Sequence, residues 1–326
     1  MGRKEVKVTF QTITPLWTGD AWQENREIRP SSLIGSLRFW FEVICYFSNI
    51  VDEKNFDQKK GRFEKEINQE KFRKFIKNCG NTFECKIQAL LEQDIPIPAI
   101  IFGTTGWRSL IEIKEINFNK ENFKIEPKGK ILPNKNWYWG SPSYQGDFEV
   151  TFLVDENILD SIFYPLLTFM DEYGFWGGKW NIGYGRLKIN IDGWKREIFQ
   201  FYELNNDRKL SKKSINKSKF LSEDIATFEE LMQTSKKIKV LENQINDSDL
   251  REITKKLIEI KARKRAKHRE NGGKVEERHK IWGTIKKPPN KKDELPQGSK
   301  ILPFIEENSS TYKGGFLSIT GLLNMR

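Results

Sequence analysis

Residues 174–186 read Gly-Phe-Trp-Gly-Gly-Lys-Trp-Asn-Ile-Gly-Tyr-Gly-Arg. Five glycines share this stretch with two tryptophans, one lysine and one arginine. Glycine accepts positive φ and lets a backbone come close to a ligand. Successive free N–H groups in such a loop form an anion-binding concavity. The expectation is a loop that cradles a ribose-phosphate strand. Gly177, Gly178, Gly183 and Gly185 set its shape, Lys179 and Arg186 supply charge, and Trp180 and Tyr184 offer flat faces on which bases stack, with Asn181 between them. The plainer alternative is a solvated turn whose aromatic residues pack into a core. Trp17 and Trp22 face the same choice.

The flanks place this loop in a fold. Residues 5–13 alternate Val6, Val8 and Phe10 with polar neighbours, as a half-buried strand does. Arg29-Pro30-Ser31-Ser32 offers a helix start with serine caps. Leu33, Leu37, Trp40 and Ile44 then share one face, widened by Ile34, Phe41 and Phe47. Residues 48–95 read as a charged insertion of one or two short helices, and Ile101-Phe102-Gly103-Thr104 as a turn. Residues 111–118 and 147–154 alternate as strands around a loop or hairpin at 119–146. A helix capped by Asp155 or Asn157 follows, with Pro165 placed to kink it. Leu187, Ile189 and Ile191 form the last strand. Strand, helix, strand, strand, helix, strand is the split βαβ, ferredoxin-like order, and the glycine loop joins its second helix to its final strand.

Asp192-Gly193 marks a boundary. The expected fold class is α+β: a ferredoxin-like (RRM-like) unit over 1–192 and a second, degenerate unit over 193–326, with helical insertions. In the second half 198–204, 300–305 and 316–319 read as strands. Residues 222–245 and 249–270 read as helices, the latter with Leu250, Ile253, Leu257 and Ile260 on one stripe.

Composition narrows the function classes. The chain has 326 residues and a net charge of +11. Residues 205–300 hold 26 Lys+Arg against 15 Asp+Glu, so the whole excess sits in that segment. Such asymmetry suggests a polyanionic partner, while a solvated lysine-rich surface is the bland reading. Residues 261–269 carry six lysines and arginines, beside His268. Three cysteines, Cys45, Cys79 and Cys85, without a CxxC pair argue against a disulfide framework or a zinc site and predict reduced thiols in a cytoplasmic protein. No apolar run reaches the length of a membrane span, and Met1 to Val6 lacks the apolar core of a signal peptide. No membrane, metal or cofactor is expected.

The combination of a ferredoxin-like order with this glycine loop resembles the RAMP superfamily of CRISPR RNA-binding proteins. Thr14-Pro15-Leu16, Gly19 and Ile28-Arg29-Pro30-Ser31-Ser32-Leu33-Ile34-Gly35-Ser36-Leu37-Arg38-Phe39-Trp40 are similar to the opening of the Cmr subunit one family of type III-B effectors. Ile101-Phe102-Gly103, Arg278-His279, Gly298-Ser299 and Leu302-Pro303 add to the likeness. Trp180 and Asn181 depart from the small or basic residues many members carry there. The resemblance implies a non-catalytic subunit that binds guide CRISPR RNA near its 3′ end, beside other RAMP subunits, and helps capture target RNA.

The expected RNA-binding residues are therefore Arg29, Ser31, Ser32 and Arg38 with Gly177, Gly178, Lys179, Trp180, Asn181, Gly183, Tyr184, Gly185 and Arg186. A helix N-terminus suits phosphate, although Ser31 alone reads equally as a cap and Arg38 as a structural ion pair. The alternative is a metal-independent RAMP endoribonuclease, which needs an acid and a base beside a 2′-hydroxyl. The chain has two histidines, His268 and His279, neither in the first half, and Asp20 and Asp147 stand without a carboxylate cluster. No catalytic residue is assigned.

Overall fold

The computed structural model of the chain describes residues 2–19, 25–47, 50–51, 53–57, 59–125, 129–130, 138–139, 142–193, 200–204, 210–214, 221–222, 238–283 and 298–319. The readings placed on Asp20 and Trp22 lie outside these residues, as does most of the helix expected over 222–245.

The first sheet contains β1 (Arg3–Thr12), β2 (Ile111–Phe118), β3 (Asp147–Asp155) and β4 (Leu187–Asn190). Its order is β4-β1-β3-β2, with every neighbouring pair antiparallel. Helix α1 (Pro30–Phe47) connects β1 to β2, and α5 (Tyr164–Tyr173) connects β3 to β4. Strand periodicity works as read: Val6, Val8 and Phe10 are buried while Glu5, Lys7 and Thr9 are exposed. Leu33, Leu37, Trp40, Phe41 and Ile44 of α1 are buried with them. Phe10 stacks on Phe148 at 5.0 Å and meets the edge of Trp176 at 5.1 Å, so the start of the glycine loop is already part of this core.

The insertion supplies α2 (Gln69–Cys79) and α3 (Phe83–Leu91), and α4 (Ile97–Phe102) follows. Asn68 and Thr82 cap α2 and α3 through side-chain oxygens. Two expectations are corrected here. Cys79 and Cys85 form a disulfide between α2 and α3, leaving Cys45 as the buried free thiol. The turn expected at 101–104 is displaced: Ile101 and Phe102 close the helix Ile97–Phe102, which carries Pro98 in its first turn, where no N–H partner is needed. Pro165 likewise sits in the first turn of α5, after a π turn over Leu159–Phe163. The stretch at 119–146 includes a short antiparallel pair, Phe123–Ile125 with Pro142–Tyr144.

A second sheet has the order β5-β6-β8-β7, built from β5 (Leu221–Ser222), β6 (Ile238–Asp247), β7 (Ile301–Asn308) and β8 (Thr311–Ile319). Helices α6 (Leu250–Glu270) and α7 (Val275–Trp282) join β6 to β7, and β8 lies between those two strands, antiparallel to both. This repeats the strand–helix–strand–strand portion of the split order. The helix expected over 222–245 is a strand across 238–247. Its β-branched residues, Ile238, Val240 and Ile245, favour extended backbone. Residues 200–204 form a strand as expected and pair with 210–214.

Candidate nucleic-acid interface

The glycine loop is the junction of the molecule. Its approach to the rest of the chain explains the glycines better than a ligand does. Gly177 has φ 71°, and a Cβ there would strike the carbonyl oxygen of Trp17. Gly185 has φ 89°, and a Cβ there would strike the carbonyl of Trp176. The N–H groups expected to point at an anion are taken up internally. Gly177 N–H donates to Ser36 Oγ at 2.9 Å, Gly178 N–H to the Trp17 carbonyl at 2.7 Å, and Gly185 N–H to the Pro15 carbonyl at 2.9 Å. Gly183 N–H closes a turn on Trp180. The loop is a clasp for protein backbone, which corrects the expectation of an open anion nest.

Arg186 shows the same reallocation. Its side chain is buried, and its guanidinium donates to the carbonyls of Gly174 (2.6 Å), Glu172 (3.0 Å) and Asp171 (3.3 Å). These are carbonyls at the C-terminal end of α5, which lack intrahelical partners and carry partial negative charge. The same guanidinium lies 4.3 Å from the Phe304 ring of β7. Burial draws its pKa down to about 10, against the pull of Glu306, Asp171 and Tyr173, so it stays charged at neutral pH. Arg38 is likewise interior, bonded to Glu42 (3.0 Å) and to the carbonyls of Gly103 and Phe63 (both 3.1 Å), with Glu64 at 3.6 Å. Both arginines, expected at phosphate, instead hold the fold together. Tyr184 is buried with Ile182 and Ile258, so its ring serves the core where base stacking was expected.

What the loop leaves toward solvent is its crest. Asn181 is exposed, and Gly178, Lys179 and Trp180 are half-buried. The Lys179 ammonium lies 4.9 Å from the Trp17 ring, and burial lowers its pKa. Trp180 leans on Phe39 and Trp40, and its indole N–H donates to the Trp176 carbonyl. Through Ser36 and Trp17 this crest is continuous with the start of α1. There the Arg29 carbonyl accepts from Ser32 N–H and Leu33 N–H, and Pro30 takes the first helical position. Ser31 and Ser32 are therefore inside the first turn and not its caps. Ser31 is exposed, and Ser32 Oγ donates to the Thr18 carbonyl at 3.4 Å. Arg29 pairs with Glu27 at 3.5 Å.

The basic run, left without a place by sequence, borders the same crest. Ile258 and Ala262 of α6 pack with Ile182, Tyr184 and Trp17. Buried Lys261 donates from Nζ to the Asn181 carbonyl at 3.2 Å. Burial, then the charge of Arg265, pulls the Lys261 pKa down to about 7. The signal was present in sequence as a second set of apolar positions on α6, offset from the stripe that packs on the second sheet. The structure thus joins Arg29, Ser31 and Ser32, the crest at 178–181, and the basic helix. Among the described residues no group of three His, Cys, Asp or Glu side chains is placed to hold a metal ion, and no helix is long and apolar enough to cross a membrane.

This fold and loop are matched by a known family. The model of the RAMP superfamily fits residues 9–188, more than half of the chain, and the chain belongs to that superfamily. Among solved structures it is similar to apo Cmr1 from Pyrococcus furiosus, at 15% identity over 98% of this chain and 88% of that one, with a TM-score of 0.39. It is also similar to a chain of a type IV-B CRISPR complex, at 12% identity over 60% of this chain and 94% of that one, with a TM-score of 0.38. No curated protein matches it.

Proposed function

We propose that this chain is a non-catalytic RNA-binding subunit of a CRISPR ribonucleoprotein effector. It holds guide RNA and works beside other RAMP subunits. The opening motif at 14–40 favours a type III-B particle, a position at the 3′ end of the guide, and a part in capturing target RNA for antiviral defence. Residues 193–326 then form a second, degenerate ferredoxin-like unit that completes the binding ridge.

Superfamily membership over 9–188 supports the reading. The observation that carries it is the continuity of the ridge: Ser32 at the α1 start bonds Thr18, Gly178 of the crest bonds the adjacent Trp17, and Lys261 of α6 bonds Asn181. Arg29, Ser31, Ser32, Lys179 and Asn181 are the residues through which it meets RNA backbone. Such contacts position a strand without reading its sequence.

The test is binding of unrelated single-stranded RNAs as a function of salt. Lys179→Ala weakens all of them alike and lowers the slope of log K against log salt by about 0.7, the value for one single-strand phosphate contact. An unchanged slope in a folded Lys179→Ala protein removes the crest from the interface. Incubating the purified chain with repeat RNA and target RNA, with and without Mg²⁺, addresses catalysis. Specific products from the protein alone would replace this reading with that of an endoribonuclease.

A further inference from the structure

We propose that α6 and α7 carry a second phosphate-binding stripe, formed by Arg265, Arg269 and Arg278 with His279, along which the RNA strand continues after leaving the loop crest. The proposal rests on the RNA-binding reading above, yet it concerns residues outside the loop and the α1 start.

The stripe follows from helix geometry. Lys261, Arg265 and Arg269 are four residues apart, so they share one face of α6 at steps of about 6 Å. Lys261 fixes the near end of that face against Asn181 of the loop. Helix α7 folds back onto α6: Gly273 N–H donates to the His268 carbonyl, and the His268 and Trp282 rings lie 5.3 Å apart. That return brings Arg278 and His279 within electrostatic reach of Arg265.

Among the described residues that charge has no ion-pair counterpart. Among the described residues no carboxylate lies within ion-pair distance of Arg265, Arg269 or Arg278; Glu277 of α7 is 3.7 Å from His268 instead. The pKa of Arg265 falls through burial, then through the charges of Arg278 and Arg269, and that of His279 through burial, then Arg265 and Arg278. Cations held together against their own repulsion gain from an anion, and among the described residues none pairs with them. A phosphodiester backbone supplies regularly spaced negative charge and needs no sequence match. Lysines of the first sheet behave differently: Lys7 lies 3.6 Å from Glu149, and Lys114 bonds Glu5.

The experiment uses the full chain and a fluorescein-labelled, 30-nucleotide single-stranded RNA of mixed sequence, with binding measured by anisotropy across a salt series. The triple variant Arg265→Gln, Arg269→Gln, Arg278→Gln is expected to lower the salt slope by about 2, at about 0.7 for each lost contact. Lys7→Gln is expected to leave it unchanged. A folded triple variant with the wild-type slope overturns the stripe and leaves this face to an acidic protein neighbour. Should the triple variant not fold, two readouts remain. The exposed Arg269→Gln alone lowers the slope by about 0.7, and 4-thiouridine RNA crosslinks the wild-type chain within 262–279. Absence of both overturns the proposal. Loss of slope in the triple variant, with none in Lys179→Ala, retires the crest and keeps the stripe; the reverse result retires the stripe alone. RNA that fails to bind the wild-type chain at low salt overturns both readings.

Discussion

The glycine loop and the α6–α7 face are adjacent, and both are rich in cations, but they treat charge in opposite ways. At the base of the loop Arg186 is surrounded by three carbonyl oxygens and two aromatic rings. On α6–α7 the charges of Arg278 and Arg269 act on half-buried Arg265. A buried guanidinium with several carbonyl partners is a structural cross-link, because those acceptors lose water and gain a charged donor in exchange. A half-buried guanidinium among cations is an unmet electrostatic demand. On the reading proposed above, an external polyanion is drawn to where internal acceptors run out, at the crest and beside it, and not to the glycine-lined base of the loop.

The sharpest way to break this contrast is Arg186→Met. Three carbonyls at the end of α5 would lose their donor in a buried site, and destabilisation of about 3 kcal/mol is expected, the upper end of the cost of leaving a buried acceptor unsatisfied. Chemical denaturation measures it. A loss below about 1 kcal/mol would mean that Arg186 is not the cross-link described here.

Gly185→Ala probes the clasp. Positive φ combined with the approach of the Trp176 carbonyl predicts a loss of about 2–3 kcal/mol. Gly193→Ala has positive φ but nothing within 4 Å of the added Cβ, so the expected loss is about 1 kcal/mol. Equal losses would show that conformation alone, and not close packing, selects glycine in the loop.

Lys261 offers a smaller, pH-dependent test. Its pKa is lowered in the folded chain to about 7, from an ordinary 10.5. Between those values the unfolded chain holds more protons, so this lysine makes stability rise with pH across that window, and the contribution is lost as pH falls toward 7. Lys261→Met removes the penalty of the buried charge. The variant is expected to gain about 1–2 kcal/mol at pH 6 and to show a flatter stability profile between pH 7 and 10. Denaturation midpoints across that range measure it, and an unaltered profile would mean that the ammonium is better solvated than its burial indicates.

Much of the fold was legible because period is local. Alternation in 5–13, 111–118 and 147–154, and the Leu33–Leu37–Trp40–Ile44 stripe, each emerged as the expected element, with an irregularity between Ile113 and Glu115 in the second strand. The failures came where local pattern carries two meanings. Residues 238–247 hold apolar positions that suit a helix or a strand, and β8 pairing decided for the strand. Cys79 and Cys85 carry no recognisable spacing, and the turn between α2 and α3 brings them together. In the candidate interface the loop, the α1 start and the basic run were each visible in sequence, while their contiguity was not.

By itself the sequence determined the strands of the first sheet, the apolar stripe of α1, and that a net positive charge gathers in the second half. Those properties depend on neighbours within a few residues. Only the tertiary structure decided which cations are already satisfied, because the partners come from distant chain. Phe304 approaches Arg186, Phe63 and Gly103 receive Arg38, and Asn181 receives a lysine from 80 positions away. An arginine reads the same in sequence whether its acceptor is a carbonyl of the chain itself or a phosphate outside it, and only proximity in the folded molecule separates the two.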